Sequence, residues 1–389
     1  MKTAATFLLV PILAWAFPDT AHAYQISPCY RVLTYSDAAP HQQTVRHVGR
    51  LCALVMSQQQ RTAVHEHMTA AAIREYRASP MAVQAAPEWK WQYMVEPTWT
   101  INARQHRSFA IIFGTWWNDD PLMLTLGQGA DFSTGGYKVW SAFQPQRATY
   151  AGAQRNCGVD ADIHLARASH LGKLQHLHFM TTDATTDDAA RSQRVEQTVQ
   201  SALTWMAFAY QVATGELRPD QALTAEKQAE LSLPSIALNH CVRPENVKIR
   251  TLFARQGQPT EERNRRTPDI ALGSMLHILQ DSFSPAHACR VSRELNGKGQ
   301  ALLHDVANYA LQDKDAHAAL DQYPPWFLDY LQTGRHLYGN DPVTVGAWLI
   351  AAVDRQLPWP EVEAHLRATI FAPAPASASG TPEQCMGRS

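Results

Sequence analysis

His277-Ile-Leu-Gln-Asp281-Ser-Phe-Ser-Pro285-Ala-His287 is the stretch from which the rest of the chain is read. Residues four apart share one face of a helix, so His277 and Asp281 can close on a single metal ion. His287 follows just past Pro285 and can return to the same cleft. Imidazole and carboxylate are the donors zinc takes where cysteine is not used. A second pair with the same spacing, His317-Ala-Ala-Leu-Asp321, lies further along the chain. His304-Asp305 stands between the two pairs as a rival. His317 is preferred because its i+4 partner is acidic, whereas His304 has Asn308 there.

Earlier segments add candidates. In His65-Glu66-His67, near the start of a predicted helix, either histidine can project as a ligand; taken alone the pair reads as surface histidines. Trp116-Trp117-Asn118-Asp119-Asp120-Pro121 reads as a turn, or as a carboxylate held in a shaped, partly dry cleft. Asp160 and Asp162 are either ligands or loop residues. In His176-Leu177-His178-Phe179, an extended backbone would point both imidazoles to one side. A helical one would let a single histidine reach a metal, and the plainer reading is a buried histidine with a hydrogen-bond partner.

Periodicity places helices around these motifs. Residues 61–77 carry a 3.6-residue pattern. Asp187 to Gly215 has an apolar stripe of Val195, Val199, Leu203, Met206 and Tyr210, with Gly215 as the stop. A helix starting at Thr267, with Pro268 in its first turn, carries the opening motif. Asp341-Pro342 starts another, running to about Arg355. Phe109 to Phe113 is a short apolar run, strand or helix. Residues 24–58 show no clear period, 78–105 are aromatic-rich and irregular, and 118–160 have turn density. The sum predicts a mainly α fold: one multi-helix domain over 24–371 with long loops, then an Ala/Pro/Ser-rich mobile tail over 372–389.

The first residues read as an address. Lys2, the apolar stretch from Ala4 to Phe17 and Ala21-His22-Ala23 form a signal peptide over 1–23, so the mature chain would begin at Tyr24 in the periplasm or medium. No apolar run is long enough for a transmembrane helix. The formal net charge of −1 argues against a stable nucleic-acid partner. An exported chain with 6 cysteines predicts disulfides, Cys29–Cys52 being a plausible local one, and the absence of a CxxC pair argues against a cysteine zinc finger.

The pattern HxxxDxxxxPxH at 277–287 resembles the signature of bacterial zinc-dependent phospholipases C and the related single-strand-specific zinc nucleases. The family also has an earlier His, an acidic residue, a His followed by Phe, and a late HxxxE or HxxxD pair. His65, Asp119, His178-Phe179 and His317/Asp321 follow that order. The Trp-Asn-Asp-Asp-Pro stretch and the Asp-Ser-Phe tail look closest to exported phospholipases of Gram-negative bacteria. The resemblance implies a helical fold with a polynuclear zinc cleft holding two or three ions. Asp119, His178, His277 and Asp281 would hold one; Asp281 would bridge to a second, with His65; His287, His317 and Asp321 would hold the third. Asp119 would also orient or deprotonate the attacking water. Two features depart from the family. No tryptophan stands at the expected mature N-terminus, and residues 122–170 look like an insertion.

The implied activity is hydrolysis of the glycerol-side phosphodiester of phospholipids such as phosphatidylcholine, at a membrane surface. Trp89, Trp91, Trp116 and Trp117 would help at the cleft mouth, the alternative being that they simply pack the core, as most of the 11 tryptophans are expected to. The alternatives are a zinc nuclease or phosphomonoesterase, and, in another class, a non-catalytic exported protein with structural zinc.

Overall fold

The computed structural model describes residues 30–35, 43–47, 64–83, 93–94, 107–119, 121, 165–185, 187–237, 242–254, 259–295, 298–313, 317 and 319–375. Among them are the helices α1 (Val64–Ala78), α2 (Arg107–Thr115), α3 (Leu165–Leu171), α4 (Arg191–Thr214) and α5 (Ala225–Glu230). The chain continues with α6 (Ile249–Phe253), α7 (Thr260–Asp281), α8 (Pro325–Thr333), α9 (Pro342–Asp354) and α10 (Trp359–Ala368). The fold is mainly α, as the periodicity predicts. No helix among the described residues is long and apolar enough to cross a membrane.

Helix α7 is the axis of the core. It packs against α2, α4, α1, α6 and α9, and α9 lies along α1. Two glycines set its closest crossing. A Cβ on Gly114 would stand 2.5 Å from the Ile270 carbonyl oxygen and 2.9 Å from the Gly273 Cα. A Cβ on Gly273 would collide with the Ile111 carbonyl. The backbones of α2 and α7 therefore touch at a point that only glycine permits, one helical turn before His277.

The long helix α4 buries Val195, Val199, Leu203, Met206 and Tyr210, the stripe read from sequence. It ends where expected, at Gly215 in the left-handed region (φ 83°). Asp341 caps α9, its carboxylate accepting from the amides of Val343 (2.9 Å) and Thr344 (2.8 Å).

Several expectations change. The helix carrying the central motif starts at Thr260, so Pro268 lies inside it. Its added first turns are polar and held by charge: Glu262 pairs with Arg265 (2.8 Å) and Arg266. Apolar periodicity begins only near Pro268, which is why the start was read too late. The run 109–113 is helical, within α2. A β-hairpin, β4 (Ala288–Leu295) with β5 (Lys298–Val306), follows the motif where no strand was read. A second antiparallel sheet joins strands β1 (Tyr30–Tyr35), β2 (Gln43–His47) and β3 (Tyr93–Met94), in segments read as aperiodic or irregular. The tail is paired at its start: the amide of Leu303 donates to the Ala372 carbonyl (2.9 Å), and that of Ala374 to the Leu303 carbonyl (2.6 Å).

Cys289, on β4, is disulfide-bonded. The other 5 cysteines, the expected signal peptide over 1–23 and the end of the tail from 376 lie outside the described residues.

Candidate metal centre

Three groups of buried side chains, each of two histidines and one aspartate, can hold metal ions: His65, His277 and Asp281; Asp119, His170 and His178; His287, His317 and Asp321. Within each group the candidate ligand atoms lie within 4.8 Å of one another. No member is more than 4 % exposed.

The chain reaches this point from five places. His65 is on the first turn of α1. His277 and Asp281 are on the last turns of α7, on one face as their spacing requires. After Asp281 the backbone turns: the amide of Ser284 donates to the Asp281 carbonyl (2.9 Å) and that of His287 to the Ser284 carbonyl (3.0 Å). That turn brings His287 back, its Nδ1 donating to the His178 carbonyl (2.7 Å). His178 ends a 3₁₀ turn, Gln175–His178, which closes on Phe179 in the left-handed region (φ 51°). The ring of Phe179 stacks on Phe371 (5.0 Å), fixing the turn to the core. His317 and Asp321 share a helical turn, the Asp321 amide donating to the His317 carbonyl (3.1 Å).

Asn118 places Asp119. Its amide donates to the Leu177 carbonyl (2.7 Å) and accepts from the Ser274 hydroxyl (2.6 Å). It thus ties the end of α2 to both α7 and the His178 turn.

The groups are contiguous through Asp281. Its Oδ2 lies 2.8 Å from His277 Nε2, 3.0 Å from His178 Nδ1 and 3.4 Å from His287 Nδ1. Asp119 lies 3.9 Å from His178 Nδ1 and 4.0 Å from His277 Nδ1.

The outer sides of five of the six imidazoles follow one rule, and the sixth, His178, turns its Nδ1 inward to Asp281 (3.0 Å). His65 Nδ1 donates to Gln280 Oε1 (2.6 Å), and Gln280 is oriented by its own amide bond to Thr69 Oγ1 (2.8 Å). His277 Nδ1 donates to the Thr115 carbonyl (2.6 Å) and His170 Nδ1 to the Ala166 carbonyl (2.8 Å). His317 Nδ1 donates to Gln312 Oε1, whose amide in turn donates to the Ala286 carbonyl. With His287 on the His178 carbonyl, five imidazoles carry their proton outward and their lone pair, on Nε2, inward. This is the tautomer a metal ligand needs, held by the kind of outer-shell acceptor that metal-ligating histidines use.

Distances fit zinc. Ligand atoms at about 2.0–2.2 Å around a tetrahedral ion stand roughly 3.4 Å apart. His65 Nε2 and Asp281 Oδ1 are 3.4 Å apart, His317 Nε2 and Asp321 Oδ2 3.2 Å, and His287 Nε2 and Asp321 Oδ1 3.8 Å. The Nε2 atoms of His178, His287 and His317 and Oδ2 of Asp321 are buried and make no hydrogen bond, a costly state for polar atoms unless an ion is their partner.

Burial holds His65 well below the usual imidazole range and lowers His178 to about 4. Both are therefore neutral near pH 7, as ligation requires. Burial opposes the charge on Asp281, but His277 and His287 outweigh it and hold the carboxyl well below its ordinary value. Burial likewise opposes a charge on His287, and Asp281 with Asp321 outweighs it, raising that imidazole.

All eight sequence-read candidates, His65, Asp119, His178, His277, Asp281, His287, His317 and Asp321, are brought into these groups. The partition differs from the one implied by the resemblance, because Asp119 and His178 gather with His170. Of the alternatives, His67 contacts the Tyr323 hydroxyl (2.5 Å) and belongs to none of the groups. His176 is buried with its imidazole lowered to about 4 by burial, and is likewise outside them. His304 sits on β5, and its neighbour Asp305 pairs with Arg194 (3.2 Å). Asp120, Asp160 and Asp162 lie outside the described residues.

His170 was missed. It lies in α3, whose residues include the end of the segment read as an insertion, and no acidic i+4 partner marks it. Tyr309 was missed too; its ring packs against His170 (5.6 Å) and His317 (4.9 Å). Trp116 and Trp117, expected at a cleft mouth, are core residues. Trp116 Nε1 donates to Glu66 (2.8 Å), and Trp117 donates to the Leu252 carbonyl (3.0 Å) and stacks on Trp205 (5.0 Å). Trp89 and Trp91 lie outside the described residues.

Compared with protein-family models, characterised proteins and solved structures, the chain matches none.

Proposed function

We propose that this chain is an exported zinc-dependent phosphoric ester hydrolase of the phospholipase C type. It cleaves the glycerol-side phosphodiester of phospholipids such as phosphatidylcholine, and its centre holds two or three zinc ions. The observation that carries the reading is the set of three contiguous His–His–Asp groups whose imidazoles are pinned from outside. A structural zinc site is normally closed by four protein ligands, whereas a catalytic one keeps three and leaves a position for water or substrate. Three groups of three donors follow the second pattern. The HxxxDxxxxPxH spacing supports the superfamily as a whole, and the Trp-Asn-Asp-Asp-Pro stretch with the Asp-Ser-Phe tail supports the phospholipase branch over the nuclease branch.

Bound zinc ions supply positive charge for the phosphate oxygens and for the departing alkoxide, and they acidify the attacking water. The chain does the rest. Asp281 stays ionised at the point where the groups meet and balances their charge. Asp119 orients the water and accepts its proton. Tyr309 stands between two of the groups, with its phenol ionisation pushed well up by burial, then by Asp321 and Asp119. It therefore keeps its proton and donates a hydrogen bond to a phosphate oxygen.

The test is release of phosphocholine from phosphatidylcholine vesicles by the full chain, with and without a zinc chelator. Chelator-sensitive release is expected. Asp281→Asn removes the negative charge of the shared carboxylate and one of its two ligand oxygens, and its activity should fall at least about 100-fold together with its zinc content. Full activity in that variant would remove the central assignment. Inert lipid with chelator-sensitive cutting of single-stranded nucleic acid would move the chain to the nuclease branch.

A further inference from the structure

We infer that His170 is a metal ligand of this centre, the second imidazole beside His178 on the ion that Asp119 holds. The inference rests on the zinc-hydrolase reading above and deepens it by naming a ligand outside the motif pattern.

The sequence gives little reason to choose His170 over the other histidines of the 164–178 segment. The structure separates them. Helix α3 and the 3₁₀ turn after it fold back on each other, with the amides of Gly172 (3.2 Å) and Leu174 (2.9 Å) both donating to the Ala168 carbonyl. That closure sets the His170 ring, tilted by 46°, at 4.5 Å from the His178 ring and brings a nitrogen of each within 4.8 Å of an Asp119 carboxylate oxygen. His176, two residues before His178, gains no such placement.

The His170 tautomer is fixed from behind. Nδ1 meets the Ala166 carbonyl (2.8 Å) and the Ser169 hydroxyl (3.0 Å), and that hydroxyl itself donates to the same carbonyl (2.9 Å). Nδ1 is therefore the protonated nitrogen, and Nε2 carries the lone pair. The same arrangement holds for His65, His277, His287 and His317, each with an oxygen acceptor on Nδ1. With His170 included, the three groups have the same composition of two imidazoles and one carboxylate. With it, the Asp119 group by itself has the three protein ligands that catalytic zinc sites keep.

The experiment measures zinc per chain by elemental analysis on the full chain after dialysis against a weak chelator, for wild type and His170→Asn. An asparagine amide can replace the Nδ1 donor to Ala166 but offers nothing at the position of Nε2. The expected result is one zinc fewer per chain than wild type, with the melting temperature of the metal-free protein unchanged. Wild-type zinc content in His170→Asn would overturn the inference and leave the functional reading standing. A wild-type chain without zinc would overturn both. Should the variant not fold, crystals of the wild-type protein grown with zinc give the answer by anomalous scattering at the zinc edge. A zinc peak at about 2.0–2.1 Å from His170 Nε2 is expected, and zinc peaks elsewhere in the centre with none at His170 would overturn the assignment.

Discussion

At the scale of single residues, the acceptors behind the imidazoles matter as much as the imidazoles. Gln280 and Gln312 each turn their carbonyl oxygen to a histidine because their amide nitrogen is already committed, one to Thr69 and the other to the Ala286 carbonyl. Replacing Gln280 with alanine leaves His65 in place but frees its ring and its tautomer. Zinc affinity in Gln280→Ala should fall about 10–100-fold, measured by competition with a chromophoric chelator. Unchanged affinity would mean that His65 takes no part in ligation. The donors legible from spacing alone were those whose partner is encoded locally, whereas His65, Asp119 and His178 followed from the resemblance. His277 with Asp281 and His317 with Asp321 announce themselves by i,i+4 spacing, which a helix converts directly into proximity. His170 has no such partner. Its group is assembled by a 3₁₀ turn and by a helix that no strong period marks, so only the fold reveals it. Trp116 and Trp117 show the opposite error. Their neighbouring acids suggested a cleft, but their indole nitrogens are satisfied in the core by Glu66 and the Leu252 carbonyl.

At the scale of elements, the site depends on how closely α2 and α7 approach. Gly114 and Gly273 let the two backbones touch, and the same contact sets Asn118 and Asp119 beside His277. A methyl group on Gly273 would meet backbone atoms of Ile111 and Gly114, which cannot rotate away. Overpacking of this kind costs roughly 1–3 kcal/mol and sometimes more. Gly273→Ala should therefore lower the thermal midpoint by several degrees and weaken zinc binding, because the crossing and the Asp119 position shift together. A variant with wild-type melting and zinc content would show that the crossing is not what positions the site. The long helices were readable because their apolar stripes and stops are local signals: α4 with Gly215, and α9 with Asp341 as its cap. The start of α7 was not, since its first turns are polar and hold together through Glu262 with Arg265 and Arg266. The β4–β5 hairpin escaped notice because its strands follow the motif directly and β4 lacks alternation, with Ser292, Arg293 and Glu294 polar and exposed in succession.

At the scale of the whole molecule, a second network joins distant parts of the chain. His336 Nδ1 donates to Asp341 (2.8 Å), and its Nε2 lies 3.9 Å from Glu75 on α1. Burial disfavours its charge, but the bonds to Asp341 and Glu75 outweigh burial and raise His336 to about 9. A histidine raised in the folded state contributes stability that is fully present below its unfolded value near 6.5. That contribution fades as pH climbs through about 9. With His336 half-buried and screened by solvent, the contribution is roughly 1 kcal/mol. Chemical denaturation from pH 6 to pH 10 should show a decline that His336→Gln lacks. Equal slopes in the two proteins would count against the network. The mainly α architecture was legible from composition and period, while the meeting of remote segments at one buried point was expected from the resemblance and not from period, because it is a property of packing.

That meeting point is the central claim, and elemental analysis of the full-length protein reads it most directly. Two or three zinc ions per chain, removed by chelator together with phosphocholine release, is the predicted result. One zinc or none per chain, in protein that folds and is saturated with the metal, would contradict it.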